Sequence, residues 1–212
     1  MMGEYLKIIP KGSKKNLPRT GVRTTPVSIS VEKDIPQTTV MLFKRGLQRS
    51  DPGYYTSVVF NYILGGGGFS SRLMEEIREK RGLTYGVNSA FNYDWIIPTM
   101  FTIALQTTNQ NAKLTEKLIK KEVSKLLKTG FSEEELTNAK HFLICSFPIN
   151  LRTSSKLLSY LETMQKFSFS TDYLNEWTDR INAVTLEDIN NFAKEFFGEK
   201  QSMSRIFVGG VN

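Results

Sequence analysis

The sequence predicts an α+β fold, with a mixed, largely antiparallel sheet and helices packed on one face. Three observations support this prediction. Segments with the alternating pattern of half-buried strands occur in pairs, and pairs of helical segments separate them. The chain has 212 residues, of which 40% are hydrophobic, so it can bury the core of one generous domain.

The predicted strands share either a two-residue alternation of apolar and polar side chains or a run of β-branched residues between turn residues. They are residues 27–31, 38–44, 83–93, 98–108 and 205–208. The third and fourth strands are close enough in sequence to form a hairpin, with residues 94–97 as its turn. In the third strand, Leu83, Tyr85, Val87 and Phe91 would lie on one face.

The predicted helices begin at residues that cap helices well and end at glycine or before proline. They are residues 51–64, 71–81, 112–128, 133–147, 154–166, 172–182 and 186–197. Asp51 and Pro52 supply the start of the first helix, which is apolar on most sides and should be buried. Ser132 and Glu135 have the spacing of a capping box, and Thr185 opens the last helix.

The formal net charge of +7 is concentrated at the amino-terminal end. The first 23 residues hold six basic residues against Glu4, a local charge of +5, which leaves +2 for the rest of the chain. We therefore interpret residues 1–21 as a basic arm or linker and residues 22–212 as a single domain, and we expect no nucleic-acid partner.

The sequence contains no apolar run of the roughly 20 residues that a membrane-spanning helix needs, so no membrane span is expected. The single cysteine, Cys145, excludes an internal disulfide but leaves the compartment open. A soluble protein of the bacterial periplasm, the cytoplasm or an organelle matrix would fit.

The run Gly65, Gly66, Gly67 and Gly68 is not the phosphate-binding loop of a nucleotide site. A P-loop requires lysine and then serine or threonine after its last glycine, whereas Phe69 follows here, and a dinucleotide-binding turn follows a strand rather than a helix. The run instead indicates a helix-to-helix turn that needs positive φ angles and close backbone approach.

The sequence also argues against a catalytic zinc site within this chain. Such a site normally uses three protein ligands that include histidine, and His141 is the only histidine. His141 and Cys145 have helical i, i+4 spacing, but their apolar neighbours favour packing residues over metal ligands or a nucleophile and its base. No metal is therefore expected here.

Two longer motifs resemble the carboxy-terminal half-domain of the pitrilysin/insulinase zinc peptidases. The first is LGGGGFSSRL at residues 64–73, and the second is EIREKRGLTY at residues 76–85. Shorter matches stand at residues 132–136, 139–140, 184–188 and 208–209. The resemblance extends over about residues 22–211.

Members of this family, as the resemblance implies, build a clamshell from two similar halves, in one chain or in two. Only the first half carries the inverted H-x-x-E-H zinc motif, and this chain has none, so it resembles the second half. We expect a non-catalytic half that is inactive alone and binds no cofactor. Its expected partners are a zinc-bearing half and a peptide substrate, and the isolated half is expected to form a homodimer.

The resemblance also assigns site residues. Arg78 and Tyr85, seven residues apart, would reach across to the substrate peptide beside the zinc. A substrate-contacting loop would consist of Gly65, Gly66, Gly67, Gly68 and Phe69. From the residues alone, two alternatives stay open: Arg78 forms surface ion pairs, and Tyr85 packs in the core. The alternative function is a scaffold of the same fold, like the core proteins of respiratory complexes, without a peptidase role.

Overall fold

The structure is a computed structural model that describes residues 25–93, 99–198 and 203–210. Its described strands are β1 (Ser28–Glu32), β2 (Gln37–Arg45), β3 (Val87–Asn92), β4 (Met100–Thr108) and β5 (Ser204–Gly209). They form one sheet in the order β1-β5-β2-β4-β3, in which β1 and β5 are parallel and the other described pairs are antiparallel. The predicted arm at residues 1–21 and the predicted turn at residues 94–97 lie outside the described residues.

The α-helices are α1 (Tyr54–Asn61), α2 (Ala112–Thr129), α3 (Glu133–Asn150), α4 (Ser154–Phe167), α5 (Trp177–Ala183) and α6 (Leu186–Phe197). Between α1 and β3 the backbone also forms two π-helices, Tyr62–Gly66 and Met74–Glu79, and the 3₁₀ turn Gly68–Ser70. Further 3₁₀ turns occur at Asn109–Asn111 and Thr171–Leu174. The α+β prediction is confirmed.

The core lies between one face of the sheet and the helices. Alternate residues of β2 and β4, including Leu42 and Ile103, are fully buried, as the period of two requires. Phe60 of α1 is also fully buried, and its ring lies 5.1 to 6.5 Å from six other phenylalanine rings. Four of these pairs are edge-to-face and two are tilted, and together they make Phe60 the centre of the core.

The opposite face of the sheet is open within the described part of the chain. Met41 and Phe43 of β2, together with Ala104 of β4, are only half-buried, and Gln106 is exposed. A sheet with one packed and one open face gives the alternation seen in the sequence. The open face borders the candidate site described below.

The third strand was predicted to start at residue 83, and this prediction is wrong because β3 begins at Val87. Residues 83–86 run beside β4 without joining the ladder. Side-chain hydrogen bonds hold them there, so the alternation of Leu83 with Tyr85 does not reflect a strand. Tyr85 accordingly does not share a buried face with Val87, and 88% of its surface is exposed.

Two helix boundaries also differ from prediction. α1 begins at Tyr54 because Asp51 accepts a hydrogen bond from Gly53 N at 3.0 Å, which forms a local turn before the helix. α3 continues through Pro148 to Asn150, although it was expected to stop before the proline. A proline in a last turn removes one backbone donor without interrupting the turns that precede it.

The predicted helix at residues 172–182 is divided into the 3₁₀ turn Thr171–Leu174 and the short α5. In contrast, two of the predicted caps are confirmed. Ser132 and Glu135 form the predicted capping box of α3, and Thr185 with Asp188 forms another at α6. These reciprocal bonds satisfy backbone donors at each helix start, which is why the residue pattern locates the boundary.

Lys44 of β2 is an unusual member of the core face, because lysine side chains are seldom buried. Its exposed fraction is 8%, its ammonium donates to the carbonyl oxygen of Phe196, and it lies 4.3 Å from the centre of the Phe196 ring. Burial lowers the pKa of Lys44 from its ordinary 10.5 to about 8, since a low-dielectric environment disfavours the charged amine.

This burial predicts a pH-dependent stability difference between the parent and Lys44→Met. Between pH 8 and 10.5 the unfolded chain binds the lysine proton more tightly than the folded chain, so raising the pH favours folding of the parent. We expect Lys44→Met to melt higher than the parent at pH 7 and this advantage to shrink by pH 10. Melting curves of both proteins check it, and exposed Lys128→Met serves as the matched control. A constant difference between pH 7 and 10 would contradict the prediction.

Candidate functional site

The glycine run forms the bend between α1 and the segment that carries Arg78. Gly65 is buried against β3, and a Cβ added to it would lie 2.6 Å from Ser89 Oγ and 2.8 Å from Ser89 N. Gly68 has a φ of +59° and open space around its α-carbon. The predicted close backbone approach therefore occurs at Gly65, and the predicted positive φ occurs at Gly68.

The predicted loop residues divide into packing and surface positions. Gly65 is buried, whereas Gly66 and Gly68 are exposed, and Phe69 has 67% of its surface exposed. A Cβ on Gly67 would lie 2.7 Å from Tyr62 O, so this glycine permits a tight turn. The part of the run available to a ligand is therefore Gly66 and Gly68, together with Phe69.

Arg78 lies on the π-helix Met74–Glu79 and is joined to Phe69. Its guanidinium carbon lies 4.3 Å from the centre of the Phe69 ring, a cation–π distance. Its ion pair with Glu79 is long, at 3.7 Å, and Glu79 is half-exposed, so the pair contributes little to stability. The structure therefore brings Arg78 and Phe69 together at the surface.

Tyr85 follows the π-helix after a sharp reversal at Gly82. Gly82 has a φ of +61°, Gly82 N donates to Arg78 O at 2.7 Å, and Leu83 N donates to Ile77 O at 3.1 Å. The first bond, with Gly82 in the left-handed region, is that of an αL cap, and the second bond fixes the next residue against the same helix end. The reversal links Arg78 and Tyr85 through a rigid turn, although the described contacts include none between the two side chains.

Two threonines hold the Tyr85 segment beside the sheet. Thr107 of β4 donates to Leu83 O at 2.6 Å, and Thr84 donates to Gln106 O at 2.7 Å. These bonds fix the backbone before the tyrosine, and after it Gly86 N donates to Thr84 Oγ1 at 3.2 Å, while the ring stays in solvent. Packing of Tyr85 in the core, one of the two alternatives, is excluded by its exposure of 88%.

Tyr85 stands at the rim of a cleft of about 350 Å³ on the open face of the sheet. The cleft is lined by Gln37, Thr39, Thr84, Tyr85, Gly86, Ala104, Leu105 and Gln106. It offers backbone and side-chain hydrogen-bonding groups beside small apolar surface. A cleft of this size and mixed lining suits one side chain of an extended peptide.

Sequence reasoning missed the residues that build this cleft. Thr84 and Thr107 act through hydrogen bonds across the sheet edge, and such pairings depend on strand register. Gln106 was the available signal, because it is a long polar residue that follows the mostly apolar first part of β4. An exposed amide in such a strand marks a position where the sheet meets something polar.

His141 and Cys145 lie on one face of α3, with Nε2 and Sγ 3.7 Å apart. They were expected to be packing residues, and this interpretation is wrong because both side chains are exposed. Leu136, Ala139 and Phe147 form the buried face of this helix instead. Within the described ranges, no group of three or more histidine, cysteine, aspartate or glutamate residues could hold a metal ion. These residues do not fit a zinc site.

Comparison with known proteins places this geometry in a family. The sequence profile described as "Peptidase M16 inactive domain" matches residues 1–143. A Bacillus subtilis protein described as the uncharacterized zinc protease YmxG is 29% identical over 180 residues, which are 84% of this chain and 43% of that protein. A Helicobacter pylori protein described as the non-peptidase homolog YmxG is 32% identical over 138 residues, 65% of this chain and 32% of that one.

A solved structure, the peptidase M16 inactive domain from Pseudomonas fluorescens, superposes with a TM-score of 0.81 at 32% identity. The superposition covers 96% of this chain and 47% of the chain in that structure. The chain belongs to the peptidase M16 family and is an inactive carboxy-terminal half-domain of it. It spans less than half the length of these three relatives. Among the described helices, none combines the length and apolarity needed to cross a bilayer.

Because the chain has too few histidines to hold a catalytic zinc ion, we predict that the purified chain binds no stoichiometric zinc and cleaves no peptide. One histidine cannot assemble the three-ligand site that lowers the pKa of a bound water. Elemental analysis after dialysis, with a peptide-cleavage assay on the same sample, checks this. One retained zinc per chain together with chelator-sensitive cleavage would contradict it.

Proposed function

We propose that this chain is the substrate-binding half of a two-half zinc endopeptidase. A partner half, in a separate subunit or in the same longer polypeptide, would hold zinc on an H-x-x-E-H motif. Arg78 and Tyr85 would bind the substrate peptide beside that zinc. Support comes from the membership of the inactive-domain family and from the fraction of the relatives that the chain spans.

The observation that carries this proposal is the exposure of Tyr85 on a fixed backbone. A ring with 88% of its surface in water adds almost nothing to the free energy of folding, because little apolar area is buried. The segment is nevertheless fixed by Thr84 and Thr107. Rigid placement of an exposed phenol beside a cleft serves a ligand rather than the domain.

The chemistry of Arg78 and Tyr85 suits peptide hydrolysis. Attack of water on a peptide carbonyl develops negative charge on the carbonyl oxygen, and a guanidinium or phenol can donate hydrogen bonds to it. Phe69 limits the freedom of Arg78 by stacking on its guanidinium. Gly66, Gly68 and Phe69 would contact the peptide backbone from the same surface, while Gly65 supports the turn by packing.

A scaffold without a peptidase role is the second candidate. The Helicobacter pylori relative described as a non-peptidase homolog favours it. The two candidates differ in what Arg78 and Tyr85 do, since a scaffold needs neither group at a substrate. Kinetic measurement on the assembled enzyme therefore separates them.

We predict that Tyr85→Phe and Arg78→Ala each lower turnover by about 100-fold to 1000-fold when the chain is assembled with its zinc-bearing half, the usual cost of removing one oxyanion donor. The melting temperature should not change, because the Tyr85 hydroxyl has no partner among the described residues and Arg78 makes only surface contacts. Steady-state kinetics and melting curves check both parts.

Arg45→Ala is the matched control for charge. Arg45 is exposed at the end of β2, whereas the Tyr85 cleft contains Gln37 at its start, so this variant should retain parental turnover. Parental turnover in Tyr85→Phe and Arg78→Ala would remove the proposed role and favour the scaffold. A lower melting temperature without a kinetic defect would indicate a structural role instead.

A surface for the partner half is proposed on α3 and α4. It exposes large apolar side chains, namely Phe142, Ile149, Leu157, Leu158 and Leu161. Met164 is the buried residue of α4 among those described, so this helix is attached to the domain by little apolar contact. Exposed apolar residues on neighbouring helices mark a protein-binding surface.

We predict that Leu158→Glu weakens association with the zinc-bearing half by about 10-fold or more, because it places a charge at the centre of this surface. Leu158 is 66% exposed, so the fold should be kept. Leu114→Glu, at a 44% exposed position on α2, is the control. Calorimetry measures the affinity, and sedimentation of the isolated chain tests whether the same surface forms a homodimer. Equal affinities of both variants would contradict the assignment.

A further inference from the structure

A second pocket, of about 250 Å³, lies between the loop that precedes α1 and the 3₁₀ turn Thr171–Leu174. Arg49 and Tyr54 line one side, and Tyr55, Ser170 and Tyr173 line much of the rest. This pocket and the Tyr85 cleft lie at opposite ends of β2. The Tyr85 cleft contains Gln37 at the start of β2, whereas Arg49 follows Arg45 at its end.

Arg49 is a partly buried cation held by tyrosines. Its Nη2 donates to the Tyr173 hydroxyl at 2.6 Å, and its guanidinium carbon lies 4.9 Å from the Tyr54 ring and 5.6 Å from the Tyr173 ring. Tyr54 and Tyr173 are 5% and 6% exposed. The guanidinium is therefore fixed in orientation by aromatic faces and one hydrogen bond.

Among the described residues, no carboxylate pairs with Arg49. Its Nε is buried and has no hydrogen-bond partner. Buried cations are normally paired, and an unpaired polar atom costs free energy. The two carboxylates that line the pocket are otherwise engaged: Glu176 pairs with Arg180 at 3.2 Å, and Asp51 accepts from Gly53 N at 3.0 Å. The four charged residues of the lining thus sum to zero, but Arg49 is the cation that has no carboxylate in contact with it.

Uncharged hydrogen-bond donors lie beside the Arg49 guanidinium in this pocket. Burial raises the pKa of Tyr55 to about 12 and raises the pKa of Tyr54 well above its ordinary value. Both hydroxyls therefore keep their protons at neutral pH and can donate hydrogen bonds. A guanidinium beside tyrosine hydroxyls is a combination that binds an oxyanion through charge-assisted hydrogen bonds.

We propose that the Arg49 pocket is a binding site for a carboxylate group. The planar guanidinium of Arg49 matches the planar carboxylate, and the two carboxylates of the lining, Asp51 and Glu176, disfavour a doubly charged phosphate more than a singly charged carboxylate. The volume admits a small ligand or one acidic side chain. The site does not rest on the proposed peptidase role, because it involves neither Arg78 nor Tyr85.

Titration with succinate tests this site on the full chain, by calorimetry at constant ionic strength. Succinamide is the uncharged control. We expect saturable one-to-one binding of succinate, no binding of succinamide, and an affinity at least about 10-fold lower in Arg49→Gln, the loss that corresponds to one charged hydrogen bond. Arg152→Gln, at an exposed position, should bind succinate as the parent does.

Because Arg49 contacts two buried tyrosines, Tyr55→Phe provides a second variant that removes one hydroxyl and keeps the ring. It should fold as the parent does and lose affinity about 3-fold to 10-fold, the cost of one neutral hydrogen bond. Absence of succinate binding to the parent would overturn the proposal, as would parental affinity in Tyr55→Phe or in a folded Arg49→Gln. Tighter binding of inorganic phosphate than of succinate would overturn the assignment to carboxylates.

Discussion

The candidate surface depends on one ion pair, between Arg72 and Glu135. Arg72 Nε and Nη2 lie 2.5 and 2.7 Å from the two carboxylate oxygens, a bidentate arrangement, and Nη2 also donates to Gly130 O at 2.9 Å. Its guanidinium lies 5.0 Å from the centre of the Phe131 ring. Arg72 directly follows the glycine loop, so this pair fastens the loop to the turn between α2 and α3.

Glu135 serves two structures at once. Its carboxylate accepts from Ser132 N in the capping box of α3 while it binds Arg72. Burial raises the pKa of Glu135, but hydrogen bonds from Arg72 and Ser132 outweigh that effect and hold the pKa below its ordinary value. The start of α3 and the start of the π-helix that carries Arg78 are thus positioned by the same charged group, and the glycines then supply the room for the bend.

Local signals in the sequence were sufficient for much of the fold. The alternation in β2 and β4 and the capping pairs at Ser132 and Thr185 each act within a few residues, so their patterns identify the elements. The Tyr85 segment was misread because side-chain hydrogen bonds replace the ladder there. Arg72 and Glu135 are 63 residues apart, and Arg49 and Tyr173 are 124 apart. No local pattern specifies such pairs, since the fold has to bring them together.

The two faces of the sheet explain why the proposed binding groups can accumulate on a domain whose described residues form no metal site. Phe60 and its neighbours stabilise the helix-covered face, which leaves the open face and its edges free of any packing requirement. Residues there can be polar, exposed and rigid at little cost to folding, provided that threonines or a bidentate arginine fix the backbone. Exposed polar groups of this kind contribute favourable free energy only when an external ligand forms hydrogen bonds with them. The exposed Tyr85, on a backbone bound through Thr84 and Thr107, is therefore the residue that we propose to act outside its own domain.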